Sequence, residues 1–234
     1  MNQKNNLNAD FRNIRFSFPP KIVLWDFDGC FCDTEFHHYK AYSFAFMDLT
    51  GHTLEQNHYF KRFTFEGGGA QKEIAEFNLP TTEQRILELK KASYDAILQS
   101  YTPQVFEGVY KMIEIQKQWG AKVGIASNSP REEIELILSK QAEEIELDFI
   151  QGKEAGLRKK PYPDIFLKVL KDFKIDPQHA LVLEDSERGL ESASAANIPA
   201  IRVLSPLNQN MTVTAPHLFA ATHWDLLGWH QEQK

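Results

Sequence analysis

Four short stretches concentrate carboxylates, hydroxyls and cations: Asp26-Phe27-Asp28-Gly29, Ser127-Asn128-Ser129, Arg158-Lys159-Lys160-Pro161 and Glu184-Asp185-Ser186. Carboxylates can attack, transfer protons or hold a hard cation. A hydroxyl beside a fixed positive charge suits an anionic group that gains charge during reaction. Taken singly, each stretch says little. An Asp-x-Asp is expected by chance about once in a chain of this length, and Asp and Ser are common caps and turn formers, which is the bland account of Asp185-Ser186. The information lies in their order, and in where each falls relative to the elements around it.

Those elements alternate. Five β-rich runs stand apart: Lys21 to Phe27, Ala121 to Ser127, a weaker Leu147 to Gln151, His179 to Asp185, and Ala200 to Leu204. Near-continuous apolar strands of this kind suit a parallel sheet covered on both faces. Helices are predicted between them. Val105 to Trp119 stops at Gly120; Pro130 opens 131–140 and Pro163 opens 164–173; Ser186 to Ala196 follows the fourth strand. The alternation predicts an α/β fold with a doubly wound parallel sheet. Ligands bind such sheets at the carboxyl ends of the strands. All but the cationic stretch fall at a predicted strand end, and that one lies between the third and fourth strands, so the charged groups should converge on one edge.

From Phe36 to about Tyr101 the rhythm breaks into helical patterns, including a long helix over 83–100, with Gly67-Gly68-Gly69 between two shorter ones. The organisation expected is a polar N-terminal lead over 1–20, an α/β core from 21–35 and 104–234, and an inserted α-helical cap over 36–103. The net charge of −6 argues against a general nucleic-acid surface. No signal-peptide run and no stretch long enough to span a bilayer is visible, so a cytoplasmic protein without a membrane partner is expected. Cys30 and Cys32 are too close in sequence for ordinary disulfide geometry and are taken as reduced thiols.

In this order and at these places, Asp26-Phe-Asp28-Gly29, Ser127, Lys160-Pro161 and Glu184-Asp185-Ser186 resemble the four motifs of the haloacid dehalogenase superfamily. The insert after the first motif resembles the helical cap of its β-phosphoglucomutase and sugar-phosphatase subgroup. Cys30 departs from the Thr or small apolar residue usual there, but leaves every charged group in place. The resemblance implies a Rossmann-like core and a nucleophile at Asp26 that carries the phosphoryl group. It makes Asp28 the general acid and base, and Ser127 and the Asn128 N–H, with Lys160, the phosphate-binding groups. Lys160 is chosen over Arg158 and Lys159 because it directly precedes Pro161. Magnesium is implied, with Asp26, the Asp28 carbonyl and Asp185 as ligands and Glu184 as a further or neighbouring acid.

The same resemblance makes the cap the seat of substrate choice, closing over the site. Gly68 in the triple glycine is either part of a specificity loop or a plain helix connection. Arg62 either reaches substrate or lies on a solvated face. His38 matches a histidine of β-phosphoglucomutases that also occurs in phosphatases. Ala70 stands where the mutases place an arginine, which favours hydrolysis. The expectation is a phosphatase of a small phosphorylated metabolite, such as a sugar phosphate or phosphoglycolate, acting as a monomer. The alternatives are a phosphosugar mutase and a non-catalytic binding protein on the same scaffold.

Overall fold

A computed structural model describes residues 17–232; residues 1–16 of the expected polar lead lie outside the described residues. The chain divides into two compact units, one formed by Asp33–Gln104 and the other by the chain on either side of it.

The larger unit is built on a parallel sheet of β1 (Ile22–Trp25), β2 (Lys122–Pro130), β3 (Phe149–Lys153), β4 (Ala180–Glu184), β5 (Ala200–Leu204) and β6 (Ala220–Thr222), in the order β3-β2-β1-β4-β5-β6. Every residue of β1 and β4 is buried, as expected of central strands covered on both faces. The chain runs from β1 outward to β3, then returns to β4 on the other side of β1. That reversal places the topological switch point between β1 and β4, where doubly wound sheets open a crevice.

The helices of this unit follow the periodicity. In α7 (Asp164–Phe173), Ile165, Phe166, Val169 and Leu170 form one buried stripe, packed with Ile22, Leu24, Ala180 and Val182 of the strands and with Leu190 and Ala193 of α8 (Glu187–Ala195). Ser186 caps α8, its Oγ accepting the Gly189 N–H at 3.1 Å. α5 (Val109–Gln118) begins later than its apolar spacing predicts, because Val105 instead forms an antiparallel bridge with Cys32. The remaining α-helices of this unit among the described residues are α6 (Arg131–Ser139) and α9 (His223–Glu232). Cys30 and Cys32 are both buried and share no disulfide.

The second unit is helical throughout: α1 (Glu35–Thr50), α2 (Gln56–Tyr59), a π-helical turn over Phe60–Phe65, α3 (Gly69–Phe77) and α4 (Glu83–Ser100). Thr82 caps α4 by accepting the Arg85 N–H. A buried clasp joins three segments of this unit. Glu73, 1% exposed, holds His52 Nε2 on one oxygen at 2.8 Å and His58 Nε2 on the other at 2.7 Å. Among the described residues, no helix is long and apolar enough to cross a membrane.

Candidate active site

Asp26 is the first residue past β1, and its N–H donates to Leu183 O of β4 at 2.9 Å, fixing it at the switch point. One oxygen each of Asp26, Glu184 and Asp185 lies within 4.8 Å of the others, and all three residues are buried. Lys160 stands among them, 2% exposed. Its Nζ donates to Asp26 Oδ1 at 2.6 Å, Glu184 Oε1 at 2.8 Å and the Ala126 carbonyl at 2.8 Å. Its backbone is held from both sides, the N–H by Asn128 Oδ1 at 3.0 Å and the carbonyl by Arg188 Nε at 3.2 Å. Arg158, by contrast, is exposed and paired with Asp164 at 2.8 Å.

Charge in this cluster is unbalanced. Burial first, then the Glu184 carboxylate, pushes Asp26 well above the ordinary carboxylate range, against the opposing pull of Lys160. Burial would lower Lys160, but Asp26 and Glu184 outweigh it and hold the ammonium firmly protonated. Lys160 pairs with two of the three clustered carboxylates, Asp26 and Glu184. The donors are all oxygen, so the residues fit a hard divalent cation both in chemistry and in charge. Glu184 is partly committed elsewhere: its Oε2 accepts Ser186 N–H at 2.9 Å and Ser186 Oγ at 3.0 Å. It does so in a slot that only glycine permits, since a Cβ at Gly189 would fall 1.6 Å from Glu184 Oε1.

Asp28 is anchored across the sheet. Ser129 Oγ donates to its Oδ2 at 2.6 Å and Ser127 Oγ at 3.3 Å, while Ser127 Oγ also accepts the Ser129 N–H at 3.0 Å. The register of β2 against β3 shifts between Ala126 and Pro130, and such an irregularity re-aims side chains at a strand end. Ser129 was not singled out from sequence, although a second hydroxyl two residues after Ser127 was visible there. His223 was equally hidden: its Nε2 lies 2.7 Å from the Cys30 carbonyl in the loop after Asp28, and its ring stacks on Phe106 at 4.6 Å.

The structure thus brings together Asp26, Asp28, Ser127, Asn128, Lys160, Glu184 and Asp185. His38, Arg62 and Gly68 belong to the helical unit. There His38 stacks on Tyr94 at 4.1 Å, and its Nδ1 lies 2.8 Å from Lys90 Nζ. An ammonium only donates, so the neutral ring carries its proton on Nε2. Arg62 pairs with Glu76 and, at 3.7 Å, with Glu66. The chain passes so close over the Arg62 carbonyl that a Cβ at Gly68 would lie 2.8 Å from it, and Gly67 and Gly69 take left-handed φ values. Backbone geometry alone accounts for the triple glycine.

Known proteins agree with this architecture. CbbY of Rhodobacter capsulatus is 28% identical over 194 residues, covering 77% of this chain and 84% of that one. Hexitol phosphatase B of Escherichia coli K12 is 28% identical over 153 residues, covering 63% and 68%. The crystal structure of CbbY from Rhodobacter sphaeroides in complex with phosphate superposes with a TM-score of 0.72 at 23% identity, covering 88% of this chain and 96% of that one, a likeness of fold. The family model described as haloacid dehalogenase-like hydrolase matches residues 23–203, and the chain belongs to that family.

Proposed function

We propose that this chain is a magnesium-dependent phosphatase that hydrolyses a small phosphorylated metabolite of the sugar-phosphate kind through a phosphoryl group carried on Asp26. The observation that carries this most is the meeting of Asp26, Glu184 and Asp185 around one buried lysine, with Asp28 held beside them by two serine hydroxyls. The name of hexitol phosphatase B, a relative of comparable length, supports the substrate class.

Phosphate monoesters resist hydrolysis because anionic nucleophiles are repelled by an anionic centre. A divalent cation held by Asp26, Asp185 and the Asp28 carbonyl would supply charge neutralisation at the reacting phosphoryl group. The remaining work falls to the chain. Asp26 attacks phosphorus and takes the phosphoryl group from the substrate oxygen. Asp28 delivers a proton to that leaving oxygen and later removes one from the water that releases phosphate from Asp26. Its hydrogen bonds to Ser127 and Ser129 hold the carboxyl in place between the two steps. Lys160 keeps Asp26 oriented and offsets charge on the transferring oxygens. Hydrolysis is favoured over mutase chemistry because Ala70, buried in α3, offers no cation for a second phosphate.

A phosphate-release screen over sugar phosphates, phosphoglycolate and nucleotides, with magnesium and with chelator, tests the proposal. Stoichiometric, metal-dependent release from a sugar phosphate is expected. Isomerisation of a sugar phosphate without release would establish the mutase instead, and no turnover of any substrate would refute both.

A further inference from the structure

Asp185 is gripped by a loop that no strand-end motif announces. Beyond β5 the chain turns through Ser205-Pro206-Leu207-Asn208, with the N–H groups of Asn208 and Gln209 donating to Ser205 O at 3.2 and 2.9 Å. Asn208 is 5% exposed, and both ends of its amide are used inside the fold. Oδ1 accepts the Ser205 N–H at 2.8 Å; Nδ2 donates to Val203 O at 3.0 Å and to Asp185 O at 3.2 Å, and stands 3.5 Å from Asp185 Oδ2. These partners fix the amide's orientation. A backbone N–H demands an acceptor and two carbonyls demand a donor, so the flipped amide would set like against like.

Behind Asn208 lies Arg202, buried on β5, whose Nη2 donates to Asn208 O and Met211 O, each at 2.8 Å. Burial lowers its pKa, while Asp185 and Glu187 act in the opposite direction, which places its charge in the field of Asp185. Burying an asparagine and an arginine is costly unless their polar atoms are satisfied. Asn208 spends part of its amide on Asp185, the residue between Glu184 and Ser186, and Arg202 braces the loop that carries Asn208; the other flank of Asp185 is held by the Ser186 contacts to Glu184.

Building on the divalent-cation site proposed above, we propose that Asn208 is a positioning residue for Asp185, backed by Arg202, and that this pair sets the affinity of the site for its cation. Hydrogen-bond partners behind metal ligands commonly govern affinity by about 10–100-fold.

The test is calorimetric titration of magnesium into the metal-free protein, for the wild type, Asn208→Ala, Arg202→Lys and Asp185→Asn. Asn208→Ala should weaken binding by about 10–100-fold, with Arg202→Lys shifted in the same direction because the shorter lysine places its ammonium short of the position from which Nη2 donates to both carbonyls. In turnover, kcat of the Asn208 variant should recover at saturating magnesium with substrate KM near the wild-type value, a split that general loosening of the fold would not produce. Unchanged magnesium affinity in Asn208→Ala overturns the inference while leaving the proposed function standing. If that variant fails to melt cooperatively, Arg202→Lys decides on the same criterion. A wild-type protein that binds no magnesium, like Asp185→Asn, overturns both.

Discussion

Replacing Lys160 by Met should destabilise the core unit by about 3–5 kcal/mol, the usual cost of removing one partner from a buried ionic cluster. The ammonium lies 2.6 Å from Asp26 Oδ1 and 2.8 Å from Glu184 Oε1. At an effective dielectric of about 20, each contact is worth about 6 kcal/mol of Coulomb energy. Desolvation of the buried ions offsets most of that. Methionine nearly matches the stem of lysine, so packing changes little, and what remains is two buried carboxylates without their cation. The penalty should depend on pH. Burial and Glu184 already raise Asp26, and loss of Lys160 raises it further above its unfolded value. A carboxyl that binds its proton more tightly when folded gains stability as pH falls, so the deficit should be largest near about pH 7.5 and smaller near about pH 5.5. Urea denaturation of both proteins in chelator at the two pH values measures this. A loss under about 1 kcal/mol, or one independent of pH, would refute the electrostatic account of the cluster.

Gly189→Ala should lower stability by about 1–3 kcal/mol and phosphate release more than tenfold, because its Cβ would displace the Glu184 carboxylate that holds Lys160; thermal melts and turnover read both. Burial holds His223 below its ordinary 6.5, with the Cys30 carbonyl pulling the other way. As pH falls below that value the unfolded chain takes the proton first, so stability declines, and His223→Gln should show a smaller loss of Tm between about pH 7.5 and about pH 5.5 than the wild type. Glu73→Ala should leave His52 and His58 without their shared acceptor and cost about 2–3 kcal/mol. Limited proteolysis should then cut first within Asp33–Gln104, and unaltered cleavage would contradict this role for the clasp.

The strands most legible in the sequence were those buried on both faces. β5 has the bounds expected, and β1, β2 and β4 depart only at their ends. β6 escaped because Ala220-Ala221-Thr222 carries no β-branched run and is defined by pairing with β5. The meeting of Asp26 with Glu184 and Asp185 was legible because a parallel sheet gathers strand ends at one edge. The contacts that secure those groups were not. Asn208 reads as an ordinary turn residue, Arg202 as a lone charge in a strand, and His223 lies 193 residues from the carbonyl it holds. Such contacts depend on chain paths that local periodicity does not encode. In the helical unit, Gly67-Gly68-Gly69 was ambiguous for the opposite reason: the backbone there needs glycine whether or not a substrate is nearby.

The central claim is that Asp26, just past the end of β1 and beside β4, carries the phosphoryl group. Acid quenching of a rapid turnover with a substrate from the release screen, followed by peptide mass mapping, tests it most directly. The account predicts a transient phosphoryl group on the peptide containing Asp26, absent from Asp26→Asn. A phosphoryl group found on another residue, or full turnover by Asp26→Asn, would contradict it.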